Sequence, residues 1–454
     1  MAKETEIKLR ISPENLPMLR EHASLAARGV GEWQTRELLN RYYDTTDFAL
    51  ANSQVALRIR RDGEQLIQTL KSKGASVAGL SERNEWDWYL DSDALQLEHL
   101  DDSCWPESLH SLDKQQLKVV FSTDFKRQFA QLSWLRAGVE TVVEVALDQG
   151  LVIADQQQEE ICEVELELRA GDPAALLELA LELSADVALM PCDISKAERG
   201  YRLFDANSYR VHATPAELSA EMPLDDAFAA IAWQLLGNSQ RLAEQYRFNG
   251  HWKLLEQWLQ QLVSLRALLA SLGQSAPRTS SNALRAQLDV LIDAWRAPIL
   301  TATDDQDART AMPVQFAAEL TETRWGQLSL ALALWLQDKA WQTKRTPRGA
   351  RQGAATLQNW LLQFLQDEAQ GLQVHRYMRQ PEDLAEQAPR IERLLTWLQA
   401  ARQITELVDS DRLFGSLREL HAIALQPLDA EALVLRREQL GTILTLTAWK
   451  QLMR

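Results

Sequence analysis

The sequence predicts an α+β multi-domain chain: an N-terminal β-barrel or sandwich with flanking helices, followed by a C-terminal all-α helical bundle. Three observations carry that prediction. Short runs of alternating apolar and charged residues, separated by turn signals, recur from the first residues to about 205. Beyond about 218 those runs stop, and apolar residues recur with a helical period, as in Trp252, Leu255, Leu259, Leu262 and Leu265. The 454-residue chain is also too long for one ordinary core. The expected division is 1–205, a linker at 206–217 containing Pro215, and 218–454.

The first run sets the pattern for the others. Read as a strand, Glu4 to Arg10 places Glu4, Glu6, Lys8 and Arg10 on one face and Thr5, Ile7 and Leu9 on the other. Ser12-Pro13-Glu14 opens a helix expected to reach Ala27, with proline near its start. Arg41 to Thr45 reads as a strand. Val55 to Arg61 is another, with Arg58 and Arg60 opposite Val55, Leu57 and Ile59. Asp62-Gly63 is a hairpin signal, and it leads into a strand on which Thr69, Lys71 and Lys73 share a face. Gly74 to Gly79 reads as a flexible loop.

Arg83, Glu85 and Asp87 then alternate with Trp86 and Trp88, which fit exterior packing under a helix. Residues 91–117 are expected to be helical. Val119 to Leu132 is β-like and carries Lys126 and Arg127, the latter sharing a face with Phe125 and Phe129. Glu140, Glu144 and Asp148 alternate with Val139, Val143, Val145 and Leu147, and Asp148-Gln149-Gly150 reads as a turn. Glu163, Glu165 and Glu167 alternate with Val164, Leu166 and Leu168. A helix is expected over 173–183, and Asp193 to Tyr201 forms a compact basic segment containing Ser195 and Lys196.

Six or more strands therefore share one design, an aliphatic face and a face charged with both signs. The interiors of small barrels are normally apolar, and burying so many unpaired charges would be prohibitive. The design makes sense if helices near 14–27, 94–117 and 173–183 cover the aliphatic faces from outside. The charged faces then line a wet tunnel suited to a polyanion with divalent cations.

Charge and composition narrow the partners. The net charge of −16 is concentrated in residues 1–210, which hold 23 Lys and Arg against 37 Asp and Glu. The remainder holds 25 against 27. Neither half is basic, so no nucleic-acid partner is expected. Cys104, Cys162 and Cys192 have no metal-ligand spacing and form no even set, which favours a reducing compartment. No signal peptide and no apolar run of about 20 residues is seen, so no membrane partner and a cytoplasmic location are expected.

The helical half is read as roughly eight helices, with breaks near 273–281, 304–313, 344–353, 380–389, 409–416 and Pro427. His251, Lys253 and Arg266 in one segment, and His375, Arg376, Arg379, Arg390 and Arg393 in another, suggest a distant internal duplication. Ten of the 15 tryptophans lie beyond residue 218 and fit a bundle core.

Glu4-x-Glu6-x-Lys8, Arg58-x-Arg60, Lys71, the Glu140/Glu144/Asp148 run, Glu163-x-Glu165 and Ser195-Lys196, taken in order, resemble the CYTH family. These are the triphosphate tunnel metalloenzymes, which include class IV adenylyl cyclases, thiamine triphosphatases and inorganic triphosphatases. The resemblance covers about residues 1–205 and implies an eight-stranded antiparallel barrel tunnel. It implies metal-dependent hydrolysis of inorganic triphosphate to pyrophosphate and phosphate. Thiamine triphosphate hydrolysis and ATP cyclisation are alternatives on the same tunnel. A polyphosphate-binding or interaction protein is the alternative of another class.

By the same resemblance Lys8, Arg58, Arg60, Lys71, Arg127 and Lys196 bind the triphosphate. Glu4, Glu6, Asp148, Glu163 and Glu165 hold Mg2+ or Mn2+, with Glu4, Glu6, Lys8 and Lys196 as the catalytic set. Glu144 is a second-tier ligand, Glu140 and Glu167 fit structural pairing equally well, and Arg41, Lys73 and Arg83 fit phosphate contacts and surface charges equally well. Residues 218–454 resemble a CHAD domain, which implies polyphosphate binding through histidine and basic residues, although the basic pattern here is thinned.

Overall fold

The computed structural model describes residues 2–72, 74–77, 80–211, 215–273, 275–321 and 324–454. Lys73 and part of the expected 74–79 loop lie outside the described residues. The chain divides into two compact units, neither continuous in sequence. One comprises Met1–His212, Ser239–Glu256 and Pro298–Gln337, and the other Ala213–Asn238, Gln257–Ala297 and Asp338–Arg454.

The first unit begins with β1 (Ala2–Arg10), α1 (Leu16–Arg20), α2 (Ala23–Ala27), β2 (Gln34–Asp44) and α3 (Ala49–Asn52). Strands β3 (Ala56–Asp62), β4 (Gln65–Lys71), β5 (Ala75–Val77) and β6 (Leu80–Leu90) follow. The long strands β7 (Lys118–Arg136), β8 (Val139–Ala154) and β9 (Gln157–Ala170) come next. Helix α4 (Ala174–Leu183), β10 (Met190–Pro191) and α5 (Lys196–Arg202) complete this stretch. Eight strands pair antiparallel in the order β1-β9-β8-β7-β2-β3-β4-β6, and β6 pairs back onto β1, which closes the barrel. Closure removes the sheet edges.

Alternation along the strands sorts side chains between the two barrel faces, as the sequence implied. Outside β3, β4 and β6, Leu57, Ile59, Leu70 and Leu90 pack with Leu100, Trp105 and Leu109, and Trp86 and Trp88 border this core. Part of the interior is apolar: Leu38, Tyr42, Phe121, Phe125, Val152 and Ile161 pack with Leu203, bordered by Ala197 and Tyr201 of α5. Gly200 makes that fit possible, since a Cβ there would stand 2.2 Å from the Phe121 ring.

Several local expectations need correction. Residues 91–117 form three single 3-10 turns rather than a helix. The Asp101 and Asp113 carboxylates accept from the backbone amides of Ser103 and Gln115, and such local bonds compete with helix formation. Trp86 and Trp88 therefore lie under turns, and Trp88 stacks on His99 at 5.4 Å. The expected helix to Ala27 is broken at Glu21–His22, where the His22 ring accepts from Ser24 N and starts a second helix. Ala75–Val77, expected as loop, is a strand paired with β6.

Asp148-Gln149-Gly150 is not a turn but the middle of β8. Glycine is needed there because a Cβ would stand 2.1 Å from the Asp124 carbonyl oxygen on β7. The chain turns instead at Ala137-Gly138 and at Asp155, all with positive φ.

Twelve α-helices follow among the described residues, against the roughly eight expected. They are α6 (Leu224–Asn249), α7 (Trp252–Ser271), α8 (Asn282–Asp304), α9 (Gln306–Thr321), α10 (Arg324–Gln337) and α11 (Pro347–Gly353). Then come α12 (Leu357–Gly371), α13 (Val374–Arg379), α14 (Ala388–Ala401), α15 (Ser410–Ala424), α16 (Ala430–Thr445) and α17 (Thr447–Leu452). Three expected breaks, 304–313, 344–353 and 409–416, are largely helical.

Parts of this helical half belong to the barrel's unit. Helix α10 packs against α4 and β10, and Arg241 of α6 pairs with Asp193 and Glu198. Within the second unit, Trp258, Trp295, Trp341, Trp397 and Trp449 are buried, as the bundle-core reading expected. Arg345 is anchored there on Asp225 at 3.0 Å. Among the described residues no helix is long and apolar enough to cross a membrane.

Candidate functional site

A cavity of about 300 Å3 lies inside the barrel, and its lining is predominantly charged. Carboxylates come from Glu4, Glu6, Asp62, Glu85, Asp87, Glu144, Glu165 and Glu167. Cations come from Lys8, Arg36, Arg58, Arg60, Lys71, Arg83, Arg127, Arg169 and Lys196. All six expected anion-binding side chains thus reach one cavity, and Arg127 faces inward together with Phe129. Asp148 and Glu163 lie immediately behind the wall, buried. Arg83 reaches the cavity. Arg41 does not, and pairs outside with Asp93 at 3.2 Å. Glu140 is exposed on the stretch of β8 next to the β7–β8 turn.

Two strand registers organise the acidic side. Glu6 on β1 stands opposite Glu167 on β9, which stands opposite Glu144 on β8. Like charges in direct register repel, and this row contains three carboxylates and no cation. Arg169 reaches Glu167 at 2.6 Å and Glu144 at 3.1 Å from the side. Burial, with repulsion from Glu4 and Glu165, raises the Glu6 carboxyl above its usual range despite its contact with Lys8. Burial pushes Glu167 up to about 7, with Glu4, Glu144 and Glu6 adding to the shift and Arg169 opposing it.

Four residues along, Arg10, Glu163 and Asp148 form a second register row that continues to Arg127 on β7. Asp148, Glu163 and Glu165 present carboxylate oxygens within 4.8 Å of one another. The Lys196 ammonium sits among them, 2.6 Å from Asp148, 2.5 Å from Glu163 and 3.0 Å from Glu165. Arg127 adds a bidentate pair to Asp148 at 2.8 and 2.7 Å. Burial raises the Asp148 carboxyl, but Arg127 and Lys196 outweigh it and hold the group below its usual range.

The cationic side is less well matched. Lys71 pairs with Glu4 at 2.6 Å and Glu85 at 3.3 Å, and Arg58 reaches Glu85 only at 3.6 Å. Among the described residues the buried Arg58 Nε has no hydrogen-bond partner. Among the described residues Arg60 has no ion-pair partner, and its Nε donates only to the neutral Asn40 amide oxygen at 2.9 Å. Burial, with Arg58 and Arg127 nearby, lowers the Arg60 guanidinium to about 10. Sparse compensation of this kind leaves positive charge available to an anion.

Residues 2–201 match the family model of the CYTH domain. Over this segment the chain is similar to the CYTH domain. A 203-residue stretch is 35% identical to an inorganic triphosphatase of Haemophilus influenzae, covering 45% of this chain and 55% of that protein. The chain thus spans about half the length of that curated relative. Among solved structures, a candidate adenylyl cyclase from Hippeastrum with a dominant triphosphatase activity is 20% identical, with a TM-score of 0.33 over 44% of this chain and 95% of the other. A candidate adenylate cyclase from Bacillus halodurans is 20% identical, with a TM-score of 0.25 over 41% and 90%.

The acidic side of the cavity suits a hard divalent cation, which prefers carboxylate oxygens. The Glu6–Glu167–Glu144 row, with Glu4 and Glu165 beside it, offers such oxygens in excess of local positive charge. The Asp148–Glu163–Glu165 cluster is different, because Lys196 already fills its centre.

Sequence reasoning missed the layer behind the cavity. Arg199 is fully buried and joins Glu163 at 2.8 Å to Glu159 at 2.7 Å. Glu159 also binds Arg10 and Arg202, and both reach Glu244 on α6. The parity of Arg10 was visible in the sequence, but Glu244 lies 234 residues away from it. Asn40 and Thr123, both fully buried, were missed because each is uncharged and sits among other polar residues of its strand.

In the helical half, the expected basic residues are partly committed. Arg390 and Arg393 both bind Glu368 at 2.9 Å, and Arg266 binds Asp289 at 2.8 Å. His251 stacks on Tyr209 at 4.7 Å.

Proposed function

We propose that the CYTH-like segment hydrolyses inorganic triphosphate to pyrophosphate and phosphate with the help of Mg2+ or Mn2+. The observation that carries this reading is Arg60: a half-buried guanidinium facing the charged cavity, without a carboxylate partner among the described residues. Its neighbours Arg58, Lys71 and Lys8, with Arg127 and Lys196 anchored behind them, supply the remaining grip on a polyanion. Multiple charge-assisted hydrogen bonds to phosphate oxygens are the strong kind. The inorganic triphosphatase relative is consistent with this substrate.

Catalysis of this type depends on positioning and charge neutralisation more than on covalent chemistry. A divalent cation, when bound, would neutralise phosphate oxygens. Glu4, Glu6 and Glu165 are the proposed ligands, while Asp148 and Glu163 hold Lys196 in place. Water attacks the terminal phosphorus, the bond to the bridging oxygen breaks, and pyrophosphate leaves. A carboxylate of the Glu6–Glu167–Glu144 row accepts the proton of the attacking water.

The aromatic lining favours inorganic triphosphate over a nucleotide or thiamine ester. Tyr42 is stacked on Phe121 at 4.6 Å, and Arg36 lies 4.8 Å from the Phe129 ring centroid. Both rings already have a stacking partner.

For residues 218–454 a CHAD-like scaffold role is proposed, since the Glu368-bound Arg390 and Arg393 are poorly placed to grip polyphosphate. The buried, unpaired Cys104, Cys162 and Cys192 accord with a cytoplasmic location.

The test is phosphate release from the purified full chain given inorganic triphosphate, thiamine triphosphate, ATP or long polyphosphate, each with Mg2+, Mn2+ or chelator. Metal-dependent release favouring inorganic triphosphate is expected. Cyclic AMP from ATP, or no turnover on any of the four, overturns the reading.

A further inference from the structure

We propose that Asn40 is a positioning residue that aims Arg60 into the cavity while leaving its positive charge uncompensated. This rests on the proposal that the barrel cavity is the triphosphate site.

Thr123, Asn40 and Arg60 form a single register row across β7, β2 and β3. Asn40 and Thr123 are fully buried. The Asn40 Oδ1 accepts from Arg60 Nε at 2.9 Å, and its Nδ2 donates to Thr123 Oγ1 at 2.9 Å. An arginine Nε can only donate, so the amide oxygen must face Arg60 and the amide nitrogen must face Thr123. The amide therefore has one satisfied orientation, set by the Arg60 donor and tied to β7 through Thr123.

Holding Arg60 by Nε keeps the two terminal nitrogens apart from any partner among the described residues, as a fork suited to a phosphate group. The buried arginines around it are held differently. Arg127, Arg199 and Arg10 each bind one or more carboxylates, which offset the charge they carry. A neutral amide restrains the guanidinium without that offset. Replacing it by a carboxylate of the same shape should preserve the restraint and cancel the charge, and few substitutions separate those two effects so cleanly.

The experiment uses the full chain and three variants: Asn40→Asp, Asn40→Ala and Arg60→Gln. Each is measured for KM and kcat on inorganic triphosphate with Mg2+, for tripolyphosphate binding in chelator by calorimetry, and for its melting midpoint. Asn40→Asp is expected to raise KM and weaken tripolyphosphate binding about tenfold or more, the equivalent of about 1.4 kcal/mol, with a midpoint at or above that of the unmodified chain. Asn40→Ala is expected to weaken binding less, with a lowered midpoint. If Asn40→Asp does not fold, the alanine variant decides, since unchanged binding there overturns the proposal. Unchanged binding in Asn40→Asp, or losses that only track melting, also overturns it. Arg60→Gln separates the two levels. If it weakens binding while the Asn40 variants do not, only the role of Asn40 fails. If it too binds normally, the cavity reading fails.

Discussion

Lys196 Nζ lies 2.6 Å from Asp148 Oδ2, which ties α5 to β8 in the barrel interior. Because Glu163 and Glu165 share the same ammonium, one lysine holds three buried carboxylates together. Lys196→Met should therefore cost stability as well as turnover. Removing one partner of a buried ion pair costs roughly 3–5 kcal/mol. Urea unfolding should show a loss of that order, and an unchanged midpoint would mean the carboxylates are balanced by Arg127 and Arg199 alone.

Glu167 sets a pH dependence of stability. Its carboxyl, pushed up from 4.5 to about 7, keeps its proton in the folded state after the unfolded chain has released it. The folded state then binds more protons, so stability falls as pH rises from about 4.5 through about 7. Glu167→Gln should flatten that slope, as urea unfolding across the window would reveal. A slope unchanged in the variant would place the titration elsewhere.

Glu4 acts in the opposite sense. Burial raises its carboxyl, but Lys71 and Lys8 outweigh this and bring it from 4.5 down to about 2. Its stabilisation is present above about 4.5 and is lost as pH falls toward about 2. Glu4→Gln should remove this part of the acid lability.

The same substitution tests the metal site. Glu4→Gln and Glu6→Gln should each lower metal-dependent turnover on the order of 100-fold. Tripolyphosphate binding in chelator should persist, because Lys71 and Lys8 lose an internal competitor. Turnover near that of the unmodified chain would remove Glu4 and Glu6 from the proposed ligand set.

Gly200 can be tested through packing. A side chain there meets the Phe121 ring, and overpacking of this kind costs about 1–3 kcal/mol. Gly200→Val should lower the melting midpoint and, by displacing α5, reduce turnover beyond what melting explains.

Much of the barrel was legible because strand alternation is local. Glu4, Glu6 and Lys8, or Arg58 and Arg60, announce a charged face within a few residues, and the cavity contains all of them. The errors fell where local signals conflict. Asp148-Gln149-Gly150 has turn composition, yet Gly150 is required by the close approach of β7, a strand about 25 residues earlier in the chain. Residues 91–117 read as a polar helix, but Asp101 and Asp113 bind nearby backbone amides and hold the segment in turns.

The sequence by itself determined which side chains share a face, since that follows from the two-residue period of a strand. It also determined that the chain beyond about residue 218 is helical, since the period of its apolar residues changes there. Only the tertiary structure decided which charges compensate one another. Lys196 fills a carboxylate cluster, Glu6 meets Glu167 and Glu144 in a row without a cation, and Arg60 is left with a neutral amide. Those pairings depend on barrel closure and strand register, which join Asn40 to Arg60, Asp148 to Lys196 and Glu6 to Glu167 across separate elements. No local pattern encodes them, and they separate a solvated charged face from a site able to hold a polyanion.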